Sequence, residues 1–232
     1  HSYSSAASDV YKRQGQEAIA VGVSRLLNNT DFIFGAHRSH SHILALGTNL
    51  TSFFAEILAR DDGLCGGRGG SMHLSDPNVG FAGSVPIVAG TVPLAVGAAM
   101  SCRLNNSDCI AVSYLGDGAC EEGIVHESLN LASIQKEPVL FVVENNLFAS
   151  HMYRSLRQPQ NSVSRFALAN SIPYRIVDGN DVLDVYNAAS SLVTSARQGN
   201  GPGFLEALSY RWYGHVDSVS YTHLTLPTSR SV

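Results

Sequence analysis

Two oxygen-bearing side chains stand at the ends of two apolar runs. Asp117 follows Cys109-Ile110-Ala111-Val112-Ser113-Tyr114-Leu115 within the turn Gly116-Asp117-Gly118-Ala119, and Asn146 follows Val139-Leu140-Phe141-Val142-Val143-Glu144-Asn145. A carboxylate and an amide oxygen suit a hard cation such as Mg²⁺, which usually binds through few protein oxygens together with phosphate oxygens. Gly116 and Gly118 permit a tight turn and close approach of the backbone to a ligand. A helix beginning near Ala119 would add N–H groups that favour an anion such as a diphosphate. The same residues also suit an ordinary crossover, with Asp117 as a helix cap and the Asn pair in a turn.

The surrounding elements decide whether these groups can meet. Both apolar runs are short and rich in strand formers, and read as buried strands. Ala119 to Gln135 reads as a helix with an apolar set at Ile124, Leu131 and Ile134, ended by Pro138. Strand, turn, helix, strand implies a parallel pair with a right-handed crossover. Both strand ends then lie on one sheet edge, where ligands of open α/β sheets bind.

Gly116-Asp117-Gly118, followed after a gap of 26 residues by Asn145-Asn146, resembles the thiamine diphosphate motif. With its flanks it resembles one branch closely, the alpha subunit of the decarboxylating component of 2-oxo acid dehydrogenase complexes. The similarity runs from about Gly15 to Val216. It implies an α/β fold of three layers, a mostly parallel sheet between helices that binds thiamine diphosphate. It also implies a Mg²⁺ held by Asp117, Asn146 and the main-chain oxygen of Phe148, with Gly118 and Ala119 against the cofactor.

The rest of the chain falls in order around that unit. Gly15 to Leu27 reads as a helix with Ile19, Val23 and Leu26 on one face, and Asp31 to Gly35 as a strand. In the resembled family an active-site histidine stands four residues before the Gly-Gln-Glu-Ala text; Tyr11 stands there in this chain. His37-Arg38-Ser39-His40-Ser41-His42 reads as a polar active-site loop in preference to a zinc site, since no cysteine or acidic ligand stands beside it. Arg38 offers a planar fork for diphosphate oxygens. By resemblance His37 and Arg38 bind the cofactor, with His37 in place of a tyrosine, and His40 joins the catalytic set.

Phe53 to Ala59 reads as a helix, and Glu56 as part of its solvated face. The glycine-rich loop Gly63 to His73 lacks the closing Gly-Lys-Ser/Thr of a P-loop. It resembles a family loop that shapes the cofactor pocket or meets a partner subunit. Gly90 to Leu104 reads as a small-residue helix. Before it, the resemblance assigns main-chain contacts with the cofactor's aminopyrimidine to Pro86, through its carbonyl, and to Val88, through its N–H. Ser150 to Asn161 has no periodicity and reads as an active-site loop. Val163 to Ala169 reads as a short helix, Tyr174 to Val177 as a strand, Asp178 to Asp181 as a capping turn, and Phe204 to Tyr210 as a last strand. Val182, Val185, Ala189 and Leu192 have core spacing between them. In Tyr210 to His215, the resemblance gives His215 a place at the diphosphate and in catalysis. Tyr213 replaces a histidine, and Val216 replaces a serine that some relatives phosphorylate.

Residues 1–14 and 217–232 resemble adapter read-through and are set outside the fold, leaving one domain over 15–216. Hydrophobic residues at 44% suffice for a core, and a net charge of −4 with no basic stripe argues against nucleic-acid binding. No apolar run reaches the length of a membrane span. Cys65, Cys102, Cys109 and Cys120 form no CxxC pair and read as reduced thiols of a cytoplasmic protein.

The function that the resemblance implies is oxidative decarboxylation of a 2-oxo acid, with acyl transfer to the lipoyl domain of an acyltransferase component. The activating glutamate would come from a beta subunit in an α₂β₂ heterotetramer, so this chain alone should be inactive. An acetoin dehydrogenase, a transketolase-like carboligase subunit and a non-catalytic truncated product are the alternatives. A nicotinamide-binding protein is disfavoured, because Gly116 to Glu121 lacks the third glycine of GxGxxG.

Overall fold

A computed structural model describes residues 15–211. Tyr11, Tyr213, His215, Val216 and the two terminal strings lie outside the described residues. The strands are β1 (Phe32–Gly35), β2 (Phe81–Ser84), β3 (Ala111–Gly116), β4 (Val139–Asn145), β5 (Phe148–Ala149), β6 (Met152–Tyr153), β7 (Tyr174–Asp178) and β8 (Gly203–Leu208). The helices are α1 (Glu17–Ser24), α2 (His40–Ala45), α3 (Leu50–Ile57), α4 (Val92–Leu104), α5 (Gly123–Gln135), α6 (Arg165–Ala169) and α7 (Val182–Arg197). Six strands form one all-parallel sheet in the order β2-β1-β3-β4-β8-β7, and β5-β6 is a separate antiparallel hairpin.

Alternation along the central strands builds two cores, one on each face of the sheet. Val112 and Tyr114 of β3, with Leu140 and Val142 of β4, pack among residues of α1 and α7. Ala111 and Leu115 of β3, with Val139, Phe141 and Val143 of β4, pack among residues of α4, α5 and α6. The result is the expected three-layer α/β arrangement. From β1 the chain goes to β2 on one side, then returns to β3 on the other. The strand order therefore reverses between β1 and β3, and the carboxyl ends there form the crevice where such sheets bind ligands.

Several expectations are corrected. The helix expected from Ala119 begins at Gly123; Ala119–Glu121 is a 3-10 turn, and Glu122, extended at ψ 134°, separates the two. Its buried face is Val125, Ser128, Leu129 and Ala132, while Ile124, Leu131 and Ile134 are 38%, 42% and 74% exposed. The buried positions recur at i, i+3, i+4 and i+7, the spacing of one helix face, and that face packs toward the sheet and α4, so Ile124, Leu131 and Ile134 fall outside it. His40 opens α2, so His37 to His42 is a loop followed by a helix. The loop expected from Ser150 contains half of the β5-β6 hairpin. Cys102 and Cys109 are joined by a disulfide between the end of α4 and the approach to β3, leaving Cys65 and Cys120 as the free thiols. Asp181 caps α7 as expected, accepting from the N–H groups of Leu183 and Asp184. In α7 Val185, Ala189 and Leu192 are core, whereas Val182 is exposed.

Candidate active site

Beyond the carboxyl ends of β1, β3 and β4 lies a cavity of about 600 Å³, within the range of small-molecule and cofactor sites. His37 and Arg38 line it from the turn after β1, and Pro86 and Val88 from the segment after β2. Asp117, Gly118 and Ala119 enter after β3, and Asn146 and Phe148 after β4. Gln16, Glu121, Glu122, Glu144 and Arg211 complete much of the wall, and the sequence reading gave none of these a role there.

Asp117 is 1% exposed. Burial pushes its carboxyl above the ordinary carboxylate range, against the pull of the Arg157 guanidinium. Arg157 bonds Oδ2 of Asp117 at 2.5 Å and also pairs with Glu121. Gln158 donates to the Asp117 carbonyl at 3.3 Å and to Glu121 at 2.8 Å. Asp117 therefore does not cap a helix.

The two asparagines divide their labour. Asn145 is fully buried and donates to Glu206 at 2.8 Å, while its own oxygen accepts from the Leu147 N–H. Asn146 reaches the cavity, donates to Gln16 at 3.1 Å and accepts from the Phe148 N–H at 3.1 Å. That bond fixes the main chain at Phe148. The turn between them holds Leu147 in the left-handed region, at φ 71°, a conformation that non-glycine residues seldom adopt.

The histidines serve three different places. His37 lines the cavity. His40 is buried with Nε2 at 3.0 Å from the Ser71 carbonyl and 2.9 Å from its hydroxyl, and it is not among the cavity-lining residues. His42 stacks on Tyr114 at 3.7 Å and pairs with Glu144 at 2.9 Å. Among the described residues no group of three or more His, Cys, Asp or Glu side chains is placed to hold a metal. A cation here would draw on amide and main-chain oxygens beside Asp117.

Glu56 departs furthest from its expectation. It is fully buried, and its two oxygens accept from four backbone N–H groups of the glycine-rich loop, those of Cys65, Gly67, Gly69 and Gly70, at 2.7–3.0 Å. Burial raises its pKa, but the four bonds together outweigh this and hold it below the ordinary value. The loop so gathered carries Ser71 to His40 and Met72 to the cavity wall. A glutamate some residues before a glycine-rich stretch was the available signal, since successive backbone N–H groups make a nest for an anion.

The residues present fit a magnesium diphosphate. Asp117, Asn146 and the Phe148 main chain supply hard oxygen donors, and Arg157 engages Oδ2 of Asp117 without engaging Oδ1. Asp117, Glu121, Glu122 and Glu144 line the wall with Arg38 and Arg211, and Arg157 from behind offsets part of the charge of Asp117 and Glu121. A diphosphate entering such a wall needs a divalent cation between like charges. At Gly118 the turn is packed closely: a Cβ there would lie 2.6 Å from Cβ of Ala149.

The model of the dehydrogenase E1 component family matches residues 4–222. This chain belongs to that family. It is 39% identical over 216 residues to the alpha subunit of acetoin:2,6-dichlorophenolindophenol oxidoreductase from Bacillus subtilis (strain 168), covering 93% of this chain and 65% of the relative. It is 39% identical over 201 residues to the pyruvate dehydrogenase E1 component subunit alpha of Rhizobium meliloti (strain 1021), covering 87% and 58%. The mitochondrial counterpart from Sminthopsis macroura is 37% identical over 210 residues, covering 89% and 57%. The chain thus spans between half and two thirds of the length of the curated relatives it matches. Within the dehydrogenase E1 component family, this member brings the sequence-chosen oxygen donors to one cavity and keeps His40 out of its wall.

Proposed function

We propose that this chain is the alpha subunit of a thiamine diphosphate-dependent 2-oxo acid dehydrogenase, pyruvate dehydrogenase-like in its reaction. The observation that carries the reading is the convergence of Asp117, Asn146 and Phe148 with Arg38 on one cavity at the switch point of the sheet. In this reading Asp117, Asn146 and the Phe148 carbonyl hold Mg²⁺. His37 and Arg38 take the diphosphate, supported by Gly118 and Ala119. The Pro86 carbonyl and Val88 N–H orient the aminopyrimidine. His215 serves at the catalytic centre, and His40 acts on it by holding Ser71 and the glycine-rich loop. The bound cofactor supplies the carbanion chemistry, which the protein orients and shields.

The activating carboxylate comes from a beta subunit, in an α₂β₂ assembly that delivers the acyl group to a lipoyl domain. Among the described residues no helix is long and apolar enough to cross a membrane; a cytoplasmic site of action is part of the proposed reading. A second reading, acetoin as substrate, is favoured by the Bacillus subtilis relative, whose name specifies acetoin. The test is calorimetric titration of thiamine diphosphate into the alpha–beta assembly with and without Mg²⁺, followed by turnover on 2-oxo acids and on acetoin. Expected are Mg²⁺-dependent binding and no turnover by the alpha chain alone. Turnover by the lone chain at the rate of the assembly would refute the half-site assignment.

A further inference from the structure

Arg157 spends its three guanidinium nitrogens on three acceptors, two in the turn after β3 and one in the β5-β6 hairpin. Nη2 bonds Asp117, Nη1 bonds Glu121, and Nε donates to the Met152 carbonyl at 3.2 Å in the β5-β6 hairpin. Its side chain is 7% exposed and that of Asp117 is 2% exposed. Asp117 lines the cavity and Arg157 does not, so the guanidinium reaches the carboxylate from the protein side. Gln158, its neighbour, is also buried and bonds the main chain of Asp117. The turn and the loop are thus fastened at a side chain and at the backbone.

A planar fork does this and an ammonium does not, because its donors point in fixed directions to acceptors on different segments. A buried carboxylate meant for a metal must stay ionised and correctly turned, and an outer hydrogen-bond partner does both. We propose that Arg157 is a positioning residue for the metal: it orients the Asp117 carboxylate toward the cavity and ties metal binding to the order of the segment from Met152 to Gln158. The inference rests on the magnesium thiamine diphosphate reading given above.

The test uses Arg157→Met and Arg157→Lys in the alpha–beta assembly. Thiamine diphosphate binding is followed by calorimetry over a series of Mg²⁺ concentrations, and the segment by limited proteolysis. Loss of an outer partner typically weakens metal binding about 10–100-fold, so the Mg²⁺ needed for half-saturation should rise by that factor in the Met variant. Millimolar guanidinium ion should reverse much of the shift. Lys should restore less than guanidinium does, because one ammonium does not match the directions of all three acceptors. Mg²⁺ with thiamine diphosphate should slow cleavage of the segment in the parent protein and not in the Met variant. Should the Met variant fail to assemble, the Lys variant carries the test, with a displaced Mg²⁺ requirement expected. An unchanged requirement in the folded variant overturns the inference, as does a loss of binding that neither guanidinium nor saturating Mg²⁺ restores, the mark of a merely structural role. Absence of Mg²⁺-dependent binding in the unaltered assembly removes the cofactor reading and the inference with it.

Discussion

Replacing Glu56 by Gln should loosen the glycine-rich loop while leaving the sheet folded. The carboxylate gives each of its oxygens to two backbone N–H groups: Oε2 to Cys65 and Gly67, Oε1 to Gly69 and Gly70. An amide keeps one oxygen and turns the other position into a donor. Two of the four N–H groups then lose their acceptor and face N–H instead. A hydrogen bond to a charged group contributes roughly 1.5–3 kcal/mol, and a stranded buried donor costs about as much. The donors lie on half-buried residues, so water recovers part of the loss, and about 2–4 kcal/mol remains. At 1.4 kcal/mol per tenfold, that is roughly a 30- to 700-fold fall in protection against hydrogen exchange. The assay is hydrogen exchange resolved over residues 63–73, with thermal melting as a check on the whole chain. Because the loop carries Met72 to the cavity and Ser71 to His40, cofactor affinity should fall as well. A Gln variant that exchanges at the parent rate in this segment would refute the reasoning, since the four bonds would then contribute nothing to loop order.

Three other outcomes are expected. Asp117→Asn should abolish Mg²⁺-dependent cofactor binding in calorimetry and also lower the melting temperature, because the buried Arg157 loses the more buried of its two ionic partners and keeps only Glu121; leaving a buried charge wholly unpaired costs about 3–5 kcal/mol, and the loss here should be smaller than that. Gly118→Ala should weaken cofactor binding about tenfold or more, since overpacking a tight site costs roughly 1–3 kcal/mol and the new methyl would meet Ala149; equal affinity would show that the turn yields freely. Glu206 has a lowered pKa: burial raises it, but bonds from Ser162, Ser164 and Asn145 prevail. Its contribution is therefore present above its ordinary value of 4.5 and is lost as pH falls through the depressed folded value. The melting-temperature gap between the parent and Glu206→Gln should be full near neutrality and shrink as pH drops below that point, and a gap independent of pH from 7 to 3 would contradict the sign.

What the sequence disclosed follows a physical divide. Asp117 and Asn146 were legible because each ends an apolar run whose composition marks a buried parallel strand, and parallel strands bring such ends to one edge. The partners of these residues were not legible. Arg157 and Gln158 sit in a stretch without periodicity, about forty residues from the Asp117 whose carboxylate and carbonyl they hold, and nothing local announces a long-range bond. Glu56 was misread because its helix neighbours Phe54 and Leu58 are indeed exposed, while its own acceptors are satisfied by a loop downstream. The exposed Ile134 shows the same divide from the other side: hydropathy ranks side chains, but the phase of the helix against the sheet decides which are buried, as the fully buried Leu129 of the same helix shows.

Glu206 also bears on how freely this region can change in length. It binds Ser162, Val163 and Ser164, while Arg157 and Gln158 fasten the middle of the segment and the Arg154 N–H holds the Leu147 carbonyl at 2.8 Å. The stretch from Leu147 to Ser164 is thus three short closures in place of one long one. Closure entropy grows only slowly with the length of a flexible span, so an insertion between two fixed points adds little cost if both points survive it. Pro159, Gln160 and Asn161 are exposed and lie between the middle anchor and the Glu206 anchor. Extra residues there should leave the cavity undisturbed, whereas the removal of even one between Arg154 and Gln158 would pull the guanidinium off its carboxylate. Variation in length across this region is therefore channelled into a three-residue window.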